Sequence, residues 1–216
     1  MKISILENTF ELLPDRALYW IDEDTLIVTD LHLGKSGHFR KSGIAAPAQI
    51  NQTNIRRLES IVSSSNPGRL LILGDLFHSD INREWFQFEE WRQTHSELEM
   101  ILVAGNHDSL HPSFYDNADL HVCSELKERE FRFIHDSKDE DIDQSEFLFS
   151  GHIHPGVRIK GKGRQSLTLS CFYQMSQQMI LPAFGEFTGL YILPEKEAED
   201  IFPIAEGEIF QLNHVN

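Results

Sequence analysis

The sequence contains little cysteine and no long apolar run. Only Cys123 and Cys171 occur among 216 residues, and neither belongs to a C-x-x-C pair. Two distant thiols exclude a disulfide scaffold and favour the reducing cytoplasm, where we expect the protein to reside. Apolar segments such as Leu70 to Leu73 are far shorter than the roughly 20 residues that cross a bilayer. The N-terminal segment MKISILENTF lacks the continuous apolar stretch of a secretory signal, so we expect neither export nor a membrane partner.

Basic residues are scarce. The chain has 19 lysines and arginines against 34 acidic residues, which gives a net charge of −15. Tight binding of duplex nucleic acid depends on clustered lysine and arginine, so long duplexes are not expected as general partners. Two small basic clusters could still contact a phosphate, one at Lys35, Arg40 and Lys41 and another between Arg158 and Arg164.

Neither an internal repeat nor a linker rich in proline, glycine or serine divides the chain. A Walker loop is also absent, because Gly161 to Arg164 lacks the G-x-x-x-x-G-K pattern. The composition, 40% hydrophobic and 25% charged, is ordinary for a globular protein. We therefore predict a single domain over residues 1–216.

Short apolar runs and helical spacings alternate in the first half of the chain. Runs that end at aspartate or glycine occupy Thr25 to Asp30, Arg69 to Asp75 and Glu99 to Asp108, and residues 47–63 and 81–98 between them have helical spacing. This order predicts a parallel sheet whose carboxyl ends meet at one edge. Alternating runs after about Leu120 predict a second, largely antiparallel sheet. The expected fold class is α/β (α+β), a four-layer αββα sandwich with two mixed sheets flanked by helices.

Aspartate and histidine follow the predicted strands. D-L-H at Asp30 to His32 would place a carboxylate and an imidazole on the same side of an extended backbone, where they could hold one metal. L-G-D-L-F-H ends a very apolar run with Asp75, whose two oxygens could bridge two cations. Each motif alone is equally compatible with an ordinary turn aspartate or a surface histidine.

The motif G-N-H-D at Gly105 to Asp108 is more specific. Asn106 would bind a metal without adding charge, His107 would act as general acid or electrostatic stabiliser, and Asp108 could hold the tautomer of His107. A turn rich in asparagine and aspartate is the structural alternative.

Histidines also follow two later apolar runs. A lone His135 comes first, and the G-H-I-H motif then places His152 and His154 two residues apart. All five motifs sit at the ends of apolar runs, and this conjunction predicts a metal centre. Lys35, Arg40 and His78 are candidates for substrate binding, although exposed side chains of these types are often simply solvated.

The motifs DLHLGK, GDLFH, GNHD, a single histidine and GHIH occur here in the order found in the calcineurin-like metallophosphoesterase family, which the chain resembles from Asp30 to His154. DLHLGKSGHFRKSGI, LILGDLFHS, SGHIHPG and LPAFGEFTG further resemble the bacterial ligase-associated DNA damage response endonuclease or phosphoesterase group. The resemblance implies the αββα sandwich, two metals and association with DNA-repair proteins. It assigns one metal to Asp30, His32, Asp75 and His154, and the other to Asp75, Asn106, His135 and His152.

Two divalent cations can clamp a phosphoryl group and activate water. We therefore expect a metal-dependent phosphoesterase that hydrolyses phosphodiester or nucleotide-like substrates by attack of a metal-bound hydroxide. Manganese is the favoured metal, with iron, zinc, nickel and magnesium as alternatives. Short or single-stranded nucleic acid suits the charge better than duplex, and a role as a DNA-repair nuclease is implied by the resemblance alone. The alternative is a non-catalytic metal-binding interaction scaffold, which would show loss of the ligands or of His107; neither is lost.

Overall fold

The first of two β-sheets takes its strands in chain order. The computed structural model describes residues 1–35, 50–78, 81–138, 140–161, 165–186 and 188–212. In this sheet β1 to β4 are antiparallel neighbours, and β4 to β7 are parallel. The predicted parallel strands are thus confirmed. The strand bounds are β1 Lys2–Ile5, β2 Asn8–Leu13, β3 Ala17–Trp20, β4 Thr25–Val28, β5 Arg69–Leu73, β6 Glu99–Val103 and β7 His121–Cys123.

Within the described residues, three helices lie between successive parallel strands. They are α1 Ile50–Ser65, α2 Arg83–Thr94 and α3 Pro112–Asn117. Helix α2 begins where the Asn82 side chain accepts a hydrogen bond from the Glu84 amide, a typical N-cap contact. The helices predicted at residues 47–63 and 81–98 are therefore confirmed within the described residues. No helix in the described part of the chain is long and apolar enough to span a bilayer.

The second sheet is mixed, with the long strand β12 at its centre. Strand β12 pairs antiparallel with β11, β13 and β15, whereas β9, β10 and β13 run parallel. The spatial order is β14-β11-β12-β13-β10-β9-β8, and β15 also pairs with β16. The bounds are β8 Leu126–Glu128, β9 Phe131–Phe133, β10 Phe147–Ser150, β11 Pro155–Lys160, β12 Ser166–Met175, β13 Gln178–Ile180, β14 Tyr191–Ile192, β15 Asp200–Ala205 and β16 Glu208–Ile209.

An aromatic cluster joins the two sheets. Phe10 and Trp20 from the first sheet pack against Phe131, with ring centroids 5.2 Å and 5.0 Å apart. Phe133 and Phe149 stack within the second sheet at 5.3 Å. All five side chains are buried. Burial of apolar surface here holds the sheets face to face and fixes the distance between the loops at their ends.

The outer faces of the two sheets are covered differently. Alternate residues of the first sheet, such as Val28 and Ile72, share an apolar cluster with Trp85 and Phe88 of α2. On the second sheet, Tyr173 belongs to a smaller cluster, over which residues 193–198 pass with the short 3-10 turn Glu195–Glu197. The sandwich is confirmed, and its fourth layer is thin in the part of the chain described here.

Sequence patterns did not predict the meander of β1, β2 and β3. These strands are only four to six residues long. The alternation of Phe10 and Leu12 with polar residues in Asn8–Leu13 is a weak sequence signal, and burial alternates along that strand in the structure. The meander supplies Phe10 and Trp20 to the aromatic cluster, so its contribution is mainly to the core.

We expect Phe149→Ala to lower the free energy of unfolding by about 3–5 kcal/mol, because it removes a ring in contact with several others and leaves a cavity. Phe86→Ala is the matched control, since Phe86 is 55% exposed on α2 and its loss should cost no more than about 0.5 kcal/mol. Urea unfolding of both variants measures the difference. Equal losses would show that the aromatic cluster does not hold the sheets together.

Candidate metal centre

The proposed ligands lie in loops that follow strands of both sheets. Parallel strands bring their carboxyl ends to one edge, and the loops after β4, β5 and β6 meet there with those after β9 and β10. The structure thus brings together all seven predicted ligands, which are Asp30, His32, Asp75, Asn106, His135, His152 and His154.

Asp30, His32 and His154 form the first cluster. The Asp30 Oδ1 atom lies 3.2 Å from His154 Nε2 and 3.9 Å from His32 Nε2. The two imidazole Nε2 atoms are 3.4 Å apart. Both Asp30 Oδ1 and His32 Nδ1 are buried without a hydrogen-bond partner. Buried polar atoms are rarely left unsatisfied, so this donor set fits a cation.

Asp75, His135 and His152 form the second cluster, which Asn106 joins. The His135 Nε2 atom lies 3.1 Å from His152 Nδ1, 3.2 Å from Asn106 Oδ1 and 3.5 Å from Asp75 Oδ1. On the other side of its ring, His135 Nδ1 is 2.9 Å from the Leu73 carbonyl oxygen. Only a protonated Nδ1 can donate to a carbonyl, so that contact leaves the Nε2 lone pair directed at the cluster.

The Asp75 carboxylate lies between the two clusters. Its Oδ2 atom is 3.8 Å from His32 Nδ1, and its Oδ1 atom is 3.5 Å from His135 Nε2. Asp75 Oδ1 also accepts a hydrogen bond of 3.0 Å from the His107 amide. One buried carboxylate therefore faces both donor sets, as the bridging role predicted from the sequence requires.

The backbone at these positions differs from the expected extended form. Asp30 and His32 have φ angles of 53° and 48°, and His152 and His154 have 66° and 53°. Asp75 has a φ of 52°. Left-handed backbone at a non-glycine residue costs about 1–3 kcal/mol. The alternate side chains converge because of these local bends, not because they share one face of a strand.

Two glycines leave room for the ligands. A Cβ atom on Gly74 would lie 2.3 Å from His135 Nδ1, and the φ of Gly74 is +76°. A Cβ atom on Gly151 would lie 1.9 Å from Thr29 Oγ1 and 2.7 Å from Asp30 Oδ2. Any larger residue at either position would displace a proposed ligand or its neighbour.

Burial and neighbouring groups shift the pKa values of two side chains in the first cluster. Burial lowers the pKa of the His32 imidazole to about 2, so the ring is neutral and one of its nitrogens has a free lone pair. Burial opposes the charge on Asp30, but the nearby His154, with help from His135 and Thr29, holds the pKa of Asp30 below its usual value. The cluster therefore presents an ionised carboxylate and the neutral imidazole of His32.

His107 and Asp108, the predicted catalytic pair, make different contacts. The His107 ring lies 4.0 Å from the His78 ring and 5.8 Å from the His32 ring, measured between centroids. The Asp108 carboxylate accepts hydrogen bonds from the Phe77 amide at 3.2 Å and the Gly105 amide at 2.9 Å. Burial raises the pKa of Asp108 to about 6, against the effect of these backbone hydrogen bonds. Within the described residues, Asp108 thus fixes the turn and does not hold the tautomer of His107.

Two of the three predicted substrate-binding residues, His78 and Lys35, lie within the described residues. His78 lies beside His107 and 5.7 Å from the His32 ring. Lys35 is half-buried near the first cluster, where burial lowers the pKa of its ammonium and the Asp30 and Asp75 carboxylates oppose that effect. Arg40 lies outside the described residues.

Three supporting residues were missed by sequence reasoning. The Thr29 hydroxyl contacts Asp30 Oδ2 at 2.7 Å and the Leu73 carbonyl at 2.8 Å. The Asn54 amide donates to the Leu31 carbonyl at 3.1 Å. Asp136 Oδ2 lies 3.7 Å from His152 Nε2. Thr29 and Asp136 adjoin predicted ligands in sequence, a signal that could have found them, whereas Asn54 reaches the centre only through the fold.

Comparison with known proteins identifies the family. The model of the calcineurin-like phosphoesterase family matches residues 24–175, which is more than half of the chain. The chain belongs to this family. The calcineurin-like resemblance noted in the sequence is confirmed, and the protein is a metal-dependent hydrolase.

One solved structure resembles this phosphoesterase along its whole length. Nuclease MPE of Pseudomonas putida has a TM-score of 0.83 and 28% sequence identity, covering 98% of this chain and 99% of that one. The phosphoesterase Yfce of E. coli has a TM-score of 0.45 and 13% identity over 87% of this chain and 97% of that one, which is too low to bear on function. No curated protein sequence matches significantly.

We expect Gly74→Ala to bind fewer divalent cations per chain than the parent protein, because the added Cβ displaces the His135 ring. Gly207→Ala is the matched control: Gly207 has a φ of +77° but no atom within 4 Å of the added Cβ. Both changes carry a similar backbone cost of about 1–2 kcal/mol. Metal analysis after loading and dialysis, together with urea unfolding, separates the clash from the backbone strain. Equal metal content in the two variants would contradict the role of Gly74.

Proposed function

We propose that this phosphoesterase hydrolyses phosphodiester bonds, in nucleotides or short single-stranded nucleic acid, with two divalent cations held by its seven convergent ligands. The observation that carries the proposal is the position of the Asp75 carboxylate between two donor clusters. Likeness to a nuclease over the whole chain supports a nucleic-acid substrate. We further propose one domain over residues 1–216, because both sheets contribute loops to the centre.

The residues divide into two ligand sets. One cation would be held by Asp30, His32, Asp75 and His154, and the other by Asp75, Asn106, His135 and His152. Mixed carboxylate, amide and imidazole donors suit first-row divalent metals. We favour manganese for both positions, with iron, zinc, nickel and magnesium as alternatives. When bound, two such cations polarise the phosphoryl oxygens and lower the pKa of water.

His107 is the proton donor that we propose for the leaving oxygen. Its backbone amide is fixed by Asp75 Oδ1, and its ring packs against the rings of His78 and His32. Asp108 holds the same turn against the loop after β5 through the Phe77 amide. A positioned general acid of this kind contributes roughly 10²–10⁴ in rate.

The local charge favours a phosphate despite the acidity of the whole chain. Three carboxylates, those of Asp30, Asp75 and Asp108, face the four positive charges of two divalent cations. A phosphodiester brings a single negative charge, which leaves the loaded centre nearly neutral. Lys35 adds a cation near the first cluster. The net charge of −15 therefore limits long-range attraction of polyanions without excluding phosphate from the centre.

Asp75→Ala should lose metal from both positions, because one carboxylate serves both ligand sets. Asp116→Ala, which removes an exposed carboxylate of α3, is the matched control. Metal analysis and Mn-stimulated hydrolysis of bis(p-nitrophenyl) phosphate should show about two cations per chain with activity in the parent and control, and neither in Asp75→Ala. Full metal content without hydrolysis would favour an interaction scaffold, and absence of metal after loading would overturn the centre.

His107→Ala should leave the metal content intact and lower kcat by about 10²–10⁴, because it removes a proton donor but no ligand. His121→Ala on β7 is the control, since that histidine is exposed. The same metal analysis and steady-state kinetics make the comparison. Equal loss of metal in His107→Ala and Asp75→Ala would contradict the division of roles.

A short single-stranded DNA oligonucleotide should be cleaved with manganese faster than the same sequence as a duplex. The acidic chain has no extended run of basic residues with which to hold a duplex. Gel analysis at one salt concentration, with Asp75→Ala as the control for contaminating nucleases, measures both rates. Faster cleavage of the duplex would contradict the proposed substrate preference.

A further inference from the structure

A cleft opens beside His152, on the outer face of the second sheet. It has a volume of about 530 Å³. Half of the residues that line it are apolar or aromatic, among them Ile153, Tyr173, Met175 and Tyr191, and the others include Asp136, Lys138 and Glu197. Clefts of roughly 300–1,000 Å³ commonly hold small organic groups.

The cleft is physically continuous with the metal centre. His152 lines the cleft and also belongs to the second cluster. Ile153 lies between His152 and His154 in the chain, so one wall is part of the ligand-bearing loop. The Tyr191 amide donates a 3.0 Å hydrogen bond to the His154 carbonyl, and Tyr191 pairs with Pro155 in the sheet. The position of Tyr191 relative to a phosphate at the centre is therefore fixed by backbone contacts.

The opposite side of the same loop has a different character. There, a cleft of about 380 Å³ is lined by Asn106, His135 and His152 together with charged residues. Arg132 in that cleft is bonded to Glu125 at 2.7 Å and to Glu140 at 2.8 Å. His152 and Asp136 thus line both clefts, and the cleft on the Tyr191 side is the more apolar of the two. The two organic groups of a phosphodiester would meet different surroundings, and the more apolar side suits a flat ring better.

The apolar cleft is also preformed. The Gln178 amide at its wall is buried and donates to the hydroxyls of Ser137 and Ser150 at 2.5 Å and 2.9 Å. The Tyr173 hydroxyl donates to the Pro194 carbonyl at 2.6 Å. These bonds fix the wall, whereas Tyr191 is 64% exposed. An aromatic ring exposed at the edge of a fixed apolar cleft is suited to stacking.

We propose that this cleft holds the nucleobase of the substrate, with the Tyr191 ring stacked on the base while the phosphate lies at the metal centre. The inference rests on the proposed function and names the group that the enzyme recognises beyond the phosphate. Stacking of a base on an aromatic side chain contributes about 1–3 kcal/mol and tolerates every base. Tyr191 would therefore distinguish nucleotides from small alkyl phosphates without selecting a sequence.

The test compares thymidine 5′-monophosphate with methyl phosphate, titrated calorimetrically into the manganese-loaded protein. Thymidine 5′-monophosphate should bind more tightly. Tyr191→Ala should weaken its binding by about 5- to 150-fold and leave methyl phosphate unchanged, whereas Tyr191→Phe should keep the preference. Leu167→Ala is the control, because Leu167 is 57% exposed on β12 and lies outside the residues that line the cleft.

The outcomes separate this inference from the proposed function. Equal binding of the two ligands, or an equal effect of Tyr191→Ala and Leu167→Ala, overturns the cleft assignment. If methyl phosphate still requires manganese in that case, the metal centre stands alone. Thymidine 5′-monophosphate binding that is lost in Tyr191→Ala but unaffected by chelation would support the cleft and contradict the phosphate position of the proposed function.

Discussion

The Asp75 carboxylate is the point on which the arrangement of the centre depends. It is only 2% exposed and faces an imidazole of each cluster. A buried carboxylate is costly unless opposite charge or hydrogen bonds compensate it. The His107 amide supplies one hydrogen bond, which alone does not compensate the charge. Two cations would satisfy the Asp75 carboxylate together with the unpartnered atoms of Asp30 and His32. Because the other ligands follow strands of both sheets, the Asp75 carboxylate would then link the two sheets electrostatically.

Rigidity around that carboxylate comes from apolar packing elsewhere in the molecule. Left-handed backbone at five proposed ligands, and close approaches such as that of Gly74 to His135, are unfavourable locally. They persist because the surrounding sheets over-determine the loops. Strands β4 and β5 continue into a ladder between the loops, where the Asp30 amide donates to Gly74 and the His32 amide to Asp75. The aromatic cluster between the sheets then fixes the loops of one sheet against those of the other.

Sequence patterns pointed to the candidate ligands because each one follows a strongly apolar strand, and parallel strands end at a common edge. Apolar runs likewise predicted β4 to β6, and helical spacing predicted the two long helices. They failed where the cause lies in contacts between distant segments. The backbone angles of Asp30 and His32, the use of Asp108 to fix a turn, and the support from Asn54 all depend on tertiary contacts. The short β1 to β3 meander gave too weak a pattern.

In the proposed arrangement, recognition of the base and hydrolysis of the phosphodiester would share a loop. His152 and His154 belong to the two donor clusters, and Ile153 between them lines the cleft together with His152. Left-handed backbone at both histidines turns the intervening side chain to the other side of the loop. A ring held in the cleft would therefore be positioned by the same bends that position two ligands. Binding of the organic group would orient the phosphate, which is how remote contacts increase the rate of a reaction at the centre.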